Sequence, residues 1–213
     1  MRTYLFDFDG TLVDSMPTFV SMMLRILDEN QIPYGDDIVK IITPLGYAGT
    51  ADYFIQLGME MPKEEILALM HKYALAAYVN EIPAKSNVVS VLKQMKARGD
   101  SLNVLTASPH PMLDPCLKRL GLYDLFEEVW SCDDFNTTKA NPEIYRMAAE
   151  RLGKRVDEVM FLDDNYNADK TAKEAGMKVC AVYDDSSKDY VEEMKRVADH
   201  YIYDFSELPD LEF

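Results

Sequence analysis

Residues 4–15 read YLFDFDGTLVDS, an apolar run that ends in two aspartates one residue apart, Asp7 and Asp9, with Gly10 and Thr11 next. Extended backbone puts alternate side chains on one face, so both carboxylates are expected on the same side of a strand that ends there. An acidic pair at the end of a buried strand is unfavourable unless a cation or a proton compensates it. Asp and Gly also close ordinary turns, so the chemistry depends on what the rest of the chain adds. A second acidic pair, Asp163-Asp164, closes the apolar start of FLDDNYNADKTAKEAG. One acid there would serve as a helix N-cap; two suggest oxygen ligands for a hard cation such as Mg²⁺. Asp169, further along, is expected on a solvated helix face.

Two further segments carry groups suited to phosphate. Lys139 stands in FNTTKANPEIY, before a helix opened by Asn141-Pro142. Loop lysines are mostly solvated, but a cation fixed here could pair with both a carboxylate and a phosphate. Thr106-Ala107-Ser108-Pro109 follows a strand-like run, where a hydroxyl and turn N–H groups can hold phosphate oxygens. An ordinary N-cap before Pro109 has the same composition.

The elements that position these groups follow from patterning. A first strand is expected over about Arg2 to Phe8. Residues 16 to 81 read as helical with no convincing strand: FVSMMLRILDEN after Pro17, a short helix near Asp36 to Ile42 with Asp36 as N-cap, a loop Thr43-Pro44-Leu45-Gly46-Tyr47 before a helix through Leu57, and KEEILALMHKYALAAYV after Pro62. From Pro83 onward helices and strands alternate. A helix over Asn87 to Arg98 ends at Gly99, and strands are expected at Leu102–Leu105, Glu128–Trp130, Val159–Leu162, Lys178–Val182 and His200–Tyr203. This alternation predicts an α/β fold, a Rossmann-like parallel sheet covered on both faces, with an all-helical block inserted after the first strand. The expected division is 1–15 with 83–213 as the core and 16–82 as the insert. Open parallel sheets place their sites at the carboxyl ends of strands, where the motifs fall.

The four motifs, DFDGT, LTAS, TKANP and FLDD, stand in this order along essentially the whole chain. In that order the chain resembles the haloacid dehalogenase-like hydrolase superfamily, in its phosphatase branch with an α-helical cap, similar to phosphoglycolate phosphatase and β-phosphoglucomutase-like proteins. The resemblance implies Asp7 as the nucleophile forming an aspartyl-phosphate and Asp9 as the general acid/base. It implies Thr106 as a phosphate-binding hydroxyl and Lys139 as the cation that neutralises the transferred group. Mg²⁺ would be held by Asp7, the carbonyl of Asp9 and Asp164, with Asp163 a ligand directly or through water. Backbone groups of Phe8, Gly10, Ala107 and Ser108 would complete the phosphate cradle. Many relatives carry one more aspartate, at the position occupied here by Ala168.

In TPLGYAGTADYF, which resembles the specificity loop of this branch, Tyr47 could touch substrate or pack within the insert. The loop lacks the basic residue of sugar-phosphate mutases; Lys72 and Lys85 are expected to be solvated. His110 is a candidate substrate contact, His71 and His200 show no ligand spacing, and Tyr183-Asp184-Asp185 is expected to face solvent. Twenty-two basic against 37 acidic residues give a formal charge of −15, which disfavours nucleic acid and anionic membranes as partners. An anionic substrate then requires a locally positive site. Three cysteines without CxxC spacing read as small apolar residues of a reducing compartment. The N-terminus has no signal-peptide pattern and no run spans a membrane, so a cytoplasmic monomer or weak homodimer acting on a small phosphorylated metabolite is expected. The alternatives are a phosphomutase using the same nucleophile, a dehalogenase (opposed by Asp9) and a non-catalytic regulator that binds a phosphorylated ligand.

Overall fold

A computed structural model describes residues 2–211 of the 213-residue chain. The chain divides into two compact units, Met1–Asp14 with Pro83–Phe213, and Ser15–Ile82.

The first unit is built on a parallel sheet of six strands: β1 (Thr3–Phe6), β2 (Ser101–Thr106), β3 (Glu128–Ser131), β4 (Val159–Asp163), β5 (Lys178–Val182) and β6 (His200–Ile202). Their order in the sheet is β3-β2-β1-β4-β5-β6. Phe6 is in register with Val104 on one side and Leu162 on the other, so the loops leaving β1, β2 and β4 emerge side by side. The sheet is buried on both faces, as near-continuous apolar strands require. Leu5 points into a cluster with Leu105, Tyr145, Phe161 and the alanines 168, 172 and 175. Its neighbours Tyr4 and Phe6 point the other way, where Phe6 packs against Phe126 and Phe205 at 6.2 Å between ring centres. Each such side chain contributes at most about 1.5–3 kcal/mol through burial.

The second unit is helical: α1 (Met16–Glu29), α2 (Ile38–Ile42), α3 (Gly46–Gln56) and α4 (Lys63–Asn80). In α4, Ile66, Met70, Ala74 and Ala77 are buried, a stripe of helical period, and Ile66 and Met70 join Met23, Ile26, Leu27, Ile42 and Phe54 in its core. Met22 and Met23 thus pack in an interior. The expected cap at Asp36 is absent: α2 starts at Ile38, flanked by Asp37, with no side-chain cap. The remaining helices belong to the first unit: α5 (Val88–Ala97), α6 (His110–Arg119), α7 (Glu143–Arg151), α8 (Tyr166–Ala175) and α9 (Val191–Val197). Gly99 (φ 87°) ends α5 in the left-handed conformation, as its sequence position predicts. No helix among the described residues is long and apolar enough to cross a membrane. The three cysteines are buried free thiols, and burial pushes Cys116 up to about 11, which suits packing rather than reactivity.

Candidate active site

The β1 ladder stops at Phe6, so the strand's period of two does not extend to Asp9, contrary to the expectation from sequence. Asp7 continues the direction of the strand, its N–H donating to the Leu162 carbonyl at 2.8 Å. The chain then folds into a tight loop in which the N–H groups of Leu12 and Val13 both donate to the Phe8 carbonyl. Gly10 makes this loop possible twice over. Its φ is 74°, and a Cβ there would lie 2.3 Å from Asp164 Oδ2. Thr11 closes the same contact by donating its hydroxyl to Asp164 Oδ1 at 3.2 Å.

Three strand ends converge here. Lys139 Nζ lies 2.7 Å from Asp7 Oδ1 and 2.7 Å from Asp163 Oδ2, and its side chain is only 15% exposed. The lysine expected from sequence to be either solvated or fixed is therefore fixed. The second oxygen of Asp163 accepts the Asn165 N–H at 2.8 Å, and the Asn165 side chain caps α8. Burial would weaken the ammonium, but Asp163 and Asp7 hold Lys139 well above the usual lysine range. Burial raises Asp163 to about 7 despite Lys139. Burial, reinforced by Asp163 and Asp7, pushes Asp164 well above the usual carboxylate range.

Asp7, Asp163 and Asp164 are all buried, and each offers an oxygen within 4.8 Å of the others. Ionised, these three carboxylates exceed what one ammonium can balance at this depth, so they require protons or a further cation, and the all-oxygen donor set fits a hard divalent cation such as Mg²⁺. The Asp9 side chain stands apart from this cluster: its Oδ2 accepts the hydroxyl of Ser108. Asp7 thus pairs with the lysine, while Asp9 accepts a serine hydroxyl.

The remaining predicted residues divide. Thr106 is buried at the end of β2, and its hydroxyl oxygen accepts the Ser108 N–H at 3.1 Å. The Ser108 N–H, expected in the phosphate cradle, thus points to Thr106 here, while the Ser108 hydroxyl donates to Asp9. Phe8 and Gly10 are buried in the loop, and Ala107 is exposed beside it. His110 has both ring nitrogens engaged, by Asp114 Oδ1 and Asp134 Oδ2 at 2.9 Å each, which raises its pKa and leaves no nitrogen for a substrate. Tyr47 lies in the helical unit against Phe19 and His71.

Other readings are corrected. Lys72 is exposed as expected, but Lys85 is not: it donates to the carbonyls of Gly10 and Tyr183 and to Asp184. Asp184 is correspondingly buried rather than solvent-facing. Asp169 is fully buried too, and neither of its oxygens has a hydrogen-bond donor among the described residues. Its place on α8 follows from helical spacing, since Ala172 is three residues on along the buried stripe. Tyr145 was missed altogether. It is buried against Phe161, and its hydroxyl lies 3.1 Å from the Lys139 carbonyl, bracing the backbone of that residue.

Comparison with known proteins agrees with this geometry. The family model described as haloacid dehalogenase-like hydrolase matches residues 4–182. A pyrophosphatase PpaX from Halalkalibacterium halodurans is 29% identical over 90% of this chain and 88% of its own length. A phosphoglycolate phosphatase from Salmonella choleraesuis is 27% identical over 83% of this chain and 79% of its own. Among solved structures, a HAD family hydrolase from Deinococcus radiodurans with bound phosphate and sodium shares the fold, with a TM-score of 0.80 at 21% identity, covering 98% of this chain and 93% of that one.

Proposed function

The chain belongs to the haloacid dehalogenase-like hydrolase family, and from that premise we propose that it is a Mg²⁺-dependent phosphatase of the cytoplasm. It would hydrolyse a small phosphorylated metabolite through an aspartyl-phosphate on Asp7. The observation that carries this reading is the bridge from Lys139 to Asp7 and Asp163 at the ends of neighbouring strands, with Asp164 beside it.

A carboxylate oxygen of Asp7 attacks phosphorus while the ester bond to the alcohol breaks. Asp9 gives its proton to the departing alkoxide, and the phosphoryl group is left on Asp7. Asp9, now ionised, takes a proton from the water that attacks phosphorus, and phosphate leaves with the Asp7 carboxylate restored. Lys139 holds Asp7 in place and neutralises the phosphoryl oxygens, where a cation in a dry site is worth most. Thr106 turns its hydroxyl to a phosphoryl oxygen, with the Ala107 N–H beside it. Asp7, the Asp9 carbonyl and Asp164 would hold Mg²⁺, with Asp163, which also pairs with Lys139, a further ligand directly or through water. The ion would add positive charge against which phosphate and carboxylate can approach. The helical unit would supply selectivity for the alcohol.

The test is phosphate release from a panel that includes p-nitrophenyl phosphate, phosphoglycolate, pyrophosphate, sugar phosphates and nucleotides, with Mg²⁺ or with chelator. Release should require Mg²⁺, and Asp7→Asn should lower kcat by at least roughly 10³-fold with the fold intact. Turnover by Asp7→Asn would remove Asp7 as nucleophile. Turnover that needs a bisphosphate and frees little phosphate would assign a mutase instead.

A further inference from the structure

Lys85 follows the return of the chain into the first unit at Pro83. An ammonium has three N–H donors, and here each has an acceptor: the Gly10 carbonyl at 2.6 Å, the Tyr183 carbonyl at 2.6 Å and Asp184 Oδ2 at 2.9 Å. The Lys85 side chain is 18% exposed and that of Asp184 is 7% exposed. A solvated lysine has no reason to give every donor to two main-chain carbonyls and a buried carboxylate.

The main chain repeats the connection. Lys85 N–H donates to the Leu12 carbonyl and Asp14 N–H to the Pro83 carbonyl, both at 3.0 Å, and Val13 bridges Ala84 in antiparallel fashion. Residues 83–85 are thus stitched along residues 12–14, and the Lys85 side chain reaches back to Gly10. That carbonyl belongs to the residue whose missing Cβ admits Asp164 and whose neighbour is Asp9. Asp184 is prepared for its part. Burial would raise it, but the hydroxyl and N–H of Ser186, together with Lys85, hold it below the ordinary carboxylate range.

We propose that Lys85 is a positioning residue for catalysis, resting on the phosphatase reading above: it ties the loop carrying Asp9 to the end of β5. It touches no reacting atom. It acts by fixing the Gly10 carbonyl, and with it the direction from which Asp9 meets the leaving group and the close approach of the loop to Asp164. Asp184 aims the ammonium, and removal of either partner strips the other of its opposite charge at a largely buried position.

Two readouts test this, one of them independent of activity. In Lys85→Met, which keeps the stem and loses the donors, hydrogen–deuterium exchange of peptides covering 8–14 should quicken by about tenfold, with peptides covering 159–163 unchanged. With p-nitrophenyl phosphate and Mg²⁺, kcat should fall by about 10- to 100-fold and KM should move by less than about twofold, as misplacement of a catalytic group requires. Asp184→Asn should weaken kcat in the same sense, and the double variant should be no worse than Lys85→Met alone. Lys85→Arg, whose planar fork cannot match the same three acceptors, should fall between and covers the case in which Lys85→Met does not fold. Unchanged exchange over 8–14, or unchanged kcat in a folded Lys85 variant of an active enzyme, overturns the proposal. If the unmodified protein turns over no substrate, the phosphatase reading fails by itself, and the proposed catalytic positioning falls with it. The exchange result then still decides whether Lys85 holds the loop.

Discussion

Asp7 and Asp9 differ by what faces them, a lysine in one case and a serine hydroxyl in the other. That difference makes separate predictions. Asp9→Asn should slow phosphate release by roughly 10²- to 10⁴-fold, the usual range for a lost general acid, and leave the Mg²⁺ requirement in place. Unchanged release would remove Asp9 from the acid/base role. Ser108→Ala removes the donor that orients Asp9 and should lower kcat by roughly tenfold. Gly10→Ala should destabilise the protein through its positive φ and weaken Mg²⁺ activation, because the new methyl would enter the space of Asp164. Asp7, Thr106, Asp163 and Asp164 were legible because each closes a largely apolar run that must end in a loop, whereas Lys139 was legible only through the order of the motifs. Ser108 and Lys85 were not legible in their present roles. Their partners, Asp9 and the Gly10 carbonyl, lie far away in sequence, and short-range pattern says nothing about such contacts.

The elements set how much burial each acid must tolerate. Helix α8 packs its alanines 168, 172 and 175 on the sheet, and Asp169 sits among them without a donor. Burial, with Asp163 and Asp164 adding to it, raises Asp169 well above the usual carboxylate range. A raised carboxyl favours the folded state at low pH, and that advantage is lost as pH rises through its folded value. Asp169→Val should therefore raise the melting temperature at pH 8, by about 2–4 °C for each kcal/mol gained, and by less at pH 5. Equal gains at both pH values would contradict the protonation argument. Sequence periodicity could have shown this buried stripe, but the charge of Asp169 outweighed its position. The strand bounds expected from sequence fall within one or two residues of those observed, since short apolar runs bounded by polar turns have few alternatives in a parallel sheet.

At the scale of the whole molecule, opposing titrations define a window of stability. Burial lifts Asp163 to about 7, and its carboxylate partners lift His110, so stabilisation from both fades as pH rises through neutrality. Asp184 and Asp134 are held low, and their contribution is lost only in acid, as pH falls through their folded values. The chelator-treated protein should melt highest in mildly acid solution and decline toward pH 8, which a calorimetric series would show. His110→Asn should flatten part of that decline. At a fixed concentration set to about 100 times its dissociation constant at pH 8, Mg²⁺ should add about 2.7 kcal/mol there and less at pH 6. No thermal shift with Mg²⁺ would leave the acidic cluster without its cation. The alternation of helices and strands told the layer architecture but not the strand order, because order depends on which distant segments pair.

That order has a consequence for how the molecule comes into being. Strand β1 is made first, yet both of its neighbours in the sheet, β2 and β4, come much later: Thr3 meets Ser101 on one side and Val159 on the other. During synthesis the apolar segment that leads into Asp7 must wait with both hydrogen-bonding edges open until β2 is made, and with one edge open until β4 follows about 55 residues later. A nascent chain stopped before β4 would present such an edge to any other unpaired strand. The central place of β1 thus ties the assembly of the candidate site to the arrival of β4.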